Sequence, residues 1–378
     1  MPPRLDEHDA LRRRCAVLVS GHAEGAPGAE LARVGEWCRR NGWHADRYGE
    51  GPLVDGFEAE VAALLGKPAA VFMPSGTMAQ QIALRIACDR AKKSLIAMHP
   101  TSHLELHEER GYAELHSLRA ILLGVRERPT SPRDLADLAE SPAALLVELP
   151  AREIGGRLPA WTDLLALAAL ARERGIWRHM DGARLWEARE HYAPATYADV
   201  CAQFDSVYVS FYKGIGALAG AMLLGPEDFI AEARVWRRRH GGTLVQLHPF
   251  VASAAMRFGE QLAKMGAYRA RALAFAEALA DLDGLTVEPS PPQVNLFHLH
   301  LGASAEALTA ARDRIAREDG VWLAPRFSAD RGPGQASAEL YVGDNLLARP
   351  RGDDRTLLVP LYGKMLDLAR SRPTIMAR

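Results

Sequence analysis

The sequence predicts an α/β protein: a large domain built on a mostly parallel central sheet, then a smaller α+β C-terminal domain. Three observations predict it. Up to about residue 250, short apolar runs alternate with helical segments, the order of elements in a parallel sheet. Three of those runs end on Ser75-Gly76-Thr77, Asp181 and Lys213, and ligands in such sheets bind beyond the carboxyl ends of strands. After about residue 250 the chain turns to long Ala- and Arg-rich helices with a few strand-like runs between them.

The elements follow in order. Residues 69–73 form an apolar run stopped by Pro74, and 78–90 have helical periodicity through Ile82, Leu84, Ile86 and Ala87. Residues 95–98 and 144–149 read as strands. An Ala/Leu-rich helix over 164–174 is closed by Gly175, a usual C-terminal stop. Strands follow over 176–180 and 206–211, and 219–224 reads as the hairpin partner of the latter. Further on come helices over 251–282, a strand over 294–301, a helix over 305–318 capped by Ser304, a surface loop over 327–336 and a strand over 339–342. The expected division is an N-terminal segment 1–45 packing with the small domain or a partner subunit, a large domain 46–250 and a small domain 251–378.

Composition excludes several classes. Lys plus Arg total 46 against 47 for Asp plus Glu, so no global field favours nucleic acid or a membrane surface. Cys15, Cys38, Cys88 and Cys201 lie far apart with no CxxC, which argues against a disulfide scaffold or a cysteine-rich zinc site. No apolar run approaches a membrane span, and the polar start Met-Pro-Pro-Arg-Leu-Asp-Glu-His does not read as a signal peptide. The expected location is therefore the cytoplasm.

Each chemistry-bearing residue has two readings at this level. Ser75-Gly76-Thr77 stands where a strand stops and a helix begins, either as a plain N-cap or as a phosphate cradle of free N–H groups. Asp181, before Gly182-Ala183-Arg184, either caps the next turn or pairs with a protonated ring nitrogen. Arg184 either forks onto a substrate carboxylate or bridges to Asp181 or Glu187. Only 6 of the 46 basic residues are lysines, and one of them, Lys213, enters Gly214-Ile215-Gly216 at a strand end. A lysine can lose its proton and form a Schiff base, whereas an arginine cannot; the other reading is a surface lysine beside a turn. His103 and His107, four residues apart, are a hydrogen-bonded pair, two zinc ligands, or a stacking ring that moves protons.

Taken together, the wording of several segments resembles the threonine aldolase and aromatic amino acid β-eliminating lyase family. The residues are Arg47-Tyr48-Gly49-Glu50-Gly51-Pro52, the stretch 65–84 with its Pro74-Ser75-Gly76-Thr77, His179-Met180-Asp181-Gly182-Ala183-Arg184, and 204–217 around Lys213. The resemblance runs from about 45 to 260 and implies a pyridoxal 5'-phosphate (PLP) enzyme of fold type I, the aspartate-aminotransferase type. It implies that Ser75, Gly76 and Thr77 hold the phosphate, His103 stacks on the ring and assists proton transfer, and Asp181 pairs with the ring nitrogen. It implies Arg184 as the substrate-carboxylate ligand, Lys213 as the Schiff-base lysine, and a homodimer or homotetramer in which Tyr48 reaches a neighbour's site. The chain departs from the pattern at Leu149-Pro150-Ala151-Arg152, at Val245 and at 339–342, where family residues that contact cofactor or substrate are replaced. Arg326 is the expected replacement for a missing carboxylate-binding arginine. The function implied is retro-aldol cleavage of a threonine-like β-hydroxy-α-amino acid to glycine and an aldehyde, with no metal. The alternatives are β-elimination on another amino acid and a PLP-binding protein without turnover.

Overall fold

A computed structural model describes residues 7–23, 25–330 and 332–371. The chain divides into two compact units, 25–265 and a second made of 1–24 with 266–378. The expected limits at 45/46 and 250/251 differ from these units at both ends. The helix His248–Leu279 runs unbroken through the expected boundary, because its backbone hydrogen bonds leave no linker there. Residues 25–45 belong to the large unit: the helix Pro27–Arg40 is tied there by Glu30, whose Oε1 pairs with Arg257 Nη2 at 2.6 Å.

The large unit holds a seven-stranded sheet. From one edge its strands are Ala69–Met73, Ala221–Gly225, Ser206–Ser210, Trp177–Gly182, Ala144–Glu148, Leu95–Met98 and Arg119–Leu122. Ala221–Gly225 is antiparallel to both neighbours and the others run parallel to one another, so the sheet is mostly parallel as expected. The strand Arg119–Leu122 is an addition to the expected ones: a partly exposed edge strand that carries the short apolar run Ala120-Ile121-Leu122-Leu123.

The helix Gly76–Ala91 packs across the sheet through Ala79, Ile82, Ala83 and Ile86 against Val71, Tyr208 and Leu223. It begins two residues before the expected start because Ser75 Oγ accepts the Met78 N–H at 3.3 Å. A buried polar chain adds direction to this packing. His179 Nε2 donates to Gln80 Oε1 at 2.9 Å, so His179 Nδ1 accepts from Ser206 Oγ, which in turn accepts from Trp177 Nε1. Burial holds His179 well below its ordinary range, at about 3, and its ring is neutral.

The small unit is α+β. Its antiparallel sheet has Leu296–Leu301 between Leu285–Glu288 and Ala336–Tyr341. The helix Ala305–Asp319 is capped by Ser304, whose Oγ accepts from Ala307 at 3.2 Å. Val17–Leu18 pairs in parallel with Val321–Trp322, so the N-terminal segment contributes to this unit's core. The loop expected over 327–336 is shorter than that, since Ala336 opens a strand and Ser328 already bridges to Ser337. Among the described residues no helix is long and apolar enough to cross a membrane.

Candidate active site

Strand register brings three candidate groups to one end of the large sheet. Asp181 is paired with Glu148 on one neighbouring strand and with Tyr208 on the other. Lys213 lies just beyond the strand that carries Tyr208, and Ser75-Gly76-Thr77 lies beyond the same end of Ala69–Met73.

Asp181 is 2 % exposed and takes the Ala183 N–H on Oδ1 at 3.0 Å. Burial pushes its carboxyl up, while Lys213, the Ala183 N–H and His103 oppose the shift. Glu148 is pushed up to about 8, first by burial and then by the nearby Asp181 carboxylate. Two carboxyls in one desolvated place do not both ionise readily. Lys213 and the Ala183 amide favour charge on Asp181, so Glu148 is the one that keeps its proton at neutral pH. Its Oε1 accepts the Arg152 N–H at 3.1 Å. The Lys213 amine is held below its ordinary value, first by burial and then by the Arg184 guanidinium, against the pull of Asp181 and Glu148. A partly buried lysine with a depressed pKa is one that can offer a lone pair. Arg184 Nε is buried and has no hydrogen-bond partner among the described residues.

The helix start is shaped for close approach. A Cβ on Gly76 would sit 2.0 Å from Tyr208 Oη, so only glycine lets that ring pack there. Tyr208 Oη lies 3.4 Å from Tyr212 Oη, and the Tyr212 hydroxyl accepts from the Gly76 N–H. Thr77 is exposed at the first turn, and its N–H is the one left for an anion there, since Gly76 donates to Tyr212, Met78 to Ser75 Oγ and Ala79 to the Ser75 carbonyl.

The two histidines are wired in opposite senses. His103 uses Nδ1, 3.1 Å from Glu108 Oε1, and His107 uses Nε2, 2.8 Å from Glu153 Oε1. Their rings lie 5.1 Å apart at 48°. Among the described residues no group of three or more His, Cys, Asp or Glu is placed to hold a metal ion. Tyr48 stands on an exposed turn with φ +55°, its N–H bonded to the Val245 carbonyl at 3.0 Å. Arg326 belongs to the small unit, exposed on a cavity of about 520 Å³ lined also by Arg12, Ser20, Arg312 and Trp322.

Sequence reasoning gave roles to Asp181 and Lys213, noted Glu148 to Arg152 only as a place where the family pattern changes, and gave no role to Glu153, Tyr208 or Tyr212. Glu148 had a usable signal, since it closes an apolar strand as Asp181 does. Glu153 had none, because nothing local to it marks it as a neighbour of a lysine far along the chain.

The sequence model of the family described as β-eliminating lyase matches residues 27–301. An aldolase, vrtJ, from Penicillium aethiopicum is 32 % identical over 316 residues, 80 % of this chain and 77 % of that protein. Low-specificity L-threonine aldolase 1 of Arabidopsis thaliana is 26 % identical over 74 % of this chain and 80 % of its own length. A solved structure from Listeria monocytogenes EGD-E, provisionally assigned as an L-allo-threonine aldolase, superposes with a TM-score of 0.89 at 38 % identity, covering 94 % of this chain and 98 % of that one.

Proposed function

The chain belongs to the β-eliminating lyase family, and from that premise we propose that it is a cytoplasmic, PLP-dependent carbon–carbon lyase. Its substrate is a threonine-like β-hydroxy-α-amino acid, which it cleaves by retro-aldol chemistry to glycine and an aldehyde. The observation that carries the reading is the buried Asp181 acting on Lys213, with the Gly76 helix start at the same end of the sheet. The names of the relatives, a low-specificity L-threonine aldolase and an aldolase, support the substrate class.

The residues present fit the cofactor. The close packing of Tyr208 on Gly76 suits a phosphate at the helix start, a buried carboxylate suits a pyridinium nitrogen, and the unpartnered Arg184 Nε suits a substrate carboxylate. When bound, PLP supplies the electron sink for the carbon–carbon bond that breaks. Lys213 would hold the cofactor through its amine, Asp181 would face the ring nitrogen and favour its protonated form, and His103 would cover the ring face. Arg184 orients the substrate; a charge-assisted hydrogen bond of this kind contributes about 1.5–3 kcal/mol. The exposed Tyr48 turn suits a homodimer or homotetramer in which it reaches a neighbouring copy's site.

Incubation with L-threonine, L-serine and phenylserine tests the reading. We expect glycine and the matching aldehyde, and borohydride is expected to fix the cofactor on Lys213 but not on a Lys213→Ala variant. The family's description favours β-elimination as the second reading. Release of a keto acid and ammonia in place of glycine would establish that reaction instead.

A further inference from the structure

The proposed reaction needs a group to take the proton of the substrate's β-hydroxyl, and His103 does not fill both posts well. Its Nδ1 is committed to Glu108, a carboxylate only 3 % exposed, and its ring is assigned to the cofactor face. His107 stands one turn further on, its N–H bonded to the His103 carbonyl at 2.9 Å and its ring against the His103 ring. Glu153 fixes its tautomer. A carboxylate accepts only, so the proton of neutral His107 sits on Nε2 and points at Glu153 Oε1. That leaves His107 Nδ1 as a bare lone pair, with no hydrogen-bond partner among the described residues.

Glu153 is itself placed by the site. It lies in the short 3₁₀ turn Arg152–Ile154, where Arg152 Nη1 donates to its Oε1 at 3.1 Å while the Arg152 N–H holds Glu148. Glu148, which the Arg152 N–H holds, is in register with Asp181 on the adjacent strand, and His103 and Arg152 lie near enough to influence Asp181 and Lys213 respectively. The His107–Glu153 pair therefore joins two segments that both border the Lys213–Asp181 pair. The His107 side chain is 40 % exposed, so a proton it accepts can pass on to water.

We propose that His107, oriented by Glu153, is the catalytic base that takes the β-hydroxyl proton. This inference rests on the retro-aldol reading. The O–H bond breaks with its proton going to His107 Nδ1, and its electron pair becomes the second bond of the aldehyde carbonyl. The Cα–Cβ bond breaks in the same step and its electron pair remains with Cα, which later takes a proton to give glycine. Glu153 stabilises the imidazolium that forms, through the Nε2 hydrogen bond already present.

The test separates this step from everything that precedes it. Exchange of the glycine α-proton with deuterated water needs cofactor, Lys213, Asp181 and Arg184, but no β-hydroxyl. His107→Phe keeps an aromatic ring against His103 and removes the nitrogens. It is expected to lower kcat for cleavage about 100-fold, in the usual range for a lost general base, while glycine exchange stays within about twofold. Glu153→Gln keeps the shape, removes the charge and is expected to lower kcat about tenfold. Cleavage by His107→Phe at the wild-type rate overturns the proposal. An equal loss of cleavage and exchange also overturns it, because His107 would then be acting on the site as a whole. If the wild-type protein itself releases no glycine and aldehyde from any β-hydroxy amino acid, the retro-aldol reading falls, and this inference with it.

Discussion

At the scale of the residue, the site is organised by which carboxyl carries the charge. Glu148 and Asp181 are paired across adjacent strands and each accepts one backbone N–H, Glu148 from Arg152 and Asp181 from Ala183, but Lys213 is the foremost support of charge on Asp181 and the least of those on Glu148, which the Asp181 carboxylate opposes. Glu148, raised from 4.5 to about 8, therefore carries a proton that the unfolded chain releases near pH 4.5. Between those values the folded protein binds more protons than the unfolded one, so stability falls as pH rises through the window. In the cofactor-free protein, Glu148→Gln is expected to remove this part of the slope, bringing urea-unfolding stabilities at about pH 5 and about pH 8 closer together than in the wild type. An unchanged slope would mean that Glu148 ionises normally.

At the scale of the element, the helix Gly76–Ala91 starts where the phosphate is proposed to bind, and comparing two glycines tests how tightly that start is packed. Gly76 meets a tyrosine ring that is itself buried, so an added methyl has nowhere to go. Gly76→Ala is expected to cost about 1–3 kcal/mol by overpacking and to weaken cofactor retention. Gly56, in the helix Pro52–Leu64, has nothing within 4 Å of an added Cβ. Gly56→Ala is expected to gain roughly 0.5–1 kcal/mol, because alanine has less conformational freedom to lose. Thermal unfolding of the two variants, with cofactor titration, reads both effects. Equal and small changes would show that the Tyr208 packing is not a constraint. The glycine after the strand was legible in the sequence, but the reason for it was not, since Tyr208 lies on a strand far along the chain.

At the scale of the whole molecule, the small unit is assembled from both ends of the chain. Val17 and Val19 lie in one apolar core with Phe275, Leu299, Ile315, Val321 and Leu323. Burying a valine contributes about 1.5–3 kcal/mol, so deleting residues 1–19 is expected to cost on the order of 3 kcal/mol or more. A thermal midpoint left unchanged by that deletion would show that the segment adds nothing to the core. The sequence pattern sets off residues 1–45 as a segment packing with the small domain or a partner subunit, while the compact small unit takes in the chain only up to 24. Local periodicity marks the helix Pro27–Arg40, while the ion pair of Glu30 with Arg257 decides which unit holds it.

The sequence by itself determined the order of helices and strands, the mostly parallel sheet, and the strand-end placement of Ser75, Asp181 and Lys213. These follow from local alternation of apolar and polar residues and from the rule that such sheets present their ligands beyond strand ends. Only the tertiary structure decided that Glu148 shares a desolvated place with Asp181, that Glu153 sets the free nitrogen of His107, and that Tyr208 demands glycine at 76. Each of these depends on a partner distant in the chain and on how much water the packing removes. Residue order carries neither quantity until the chain has folded.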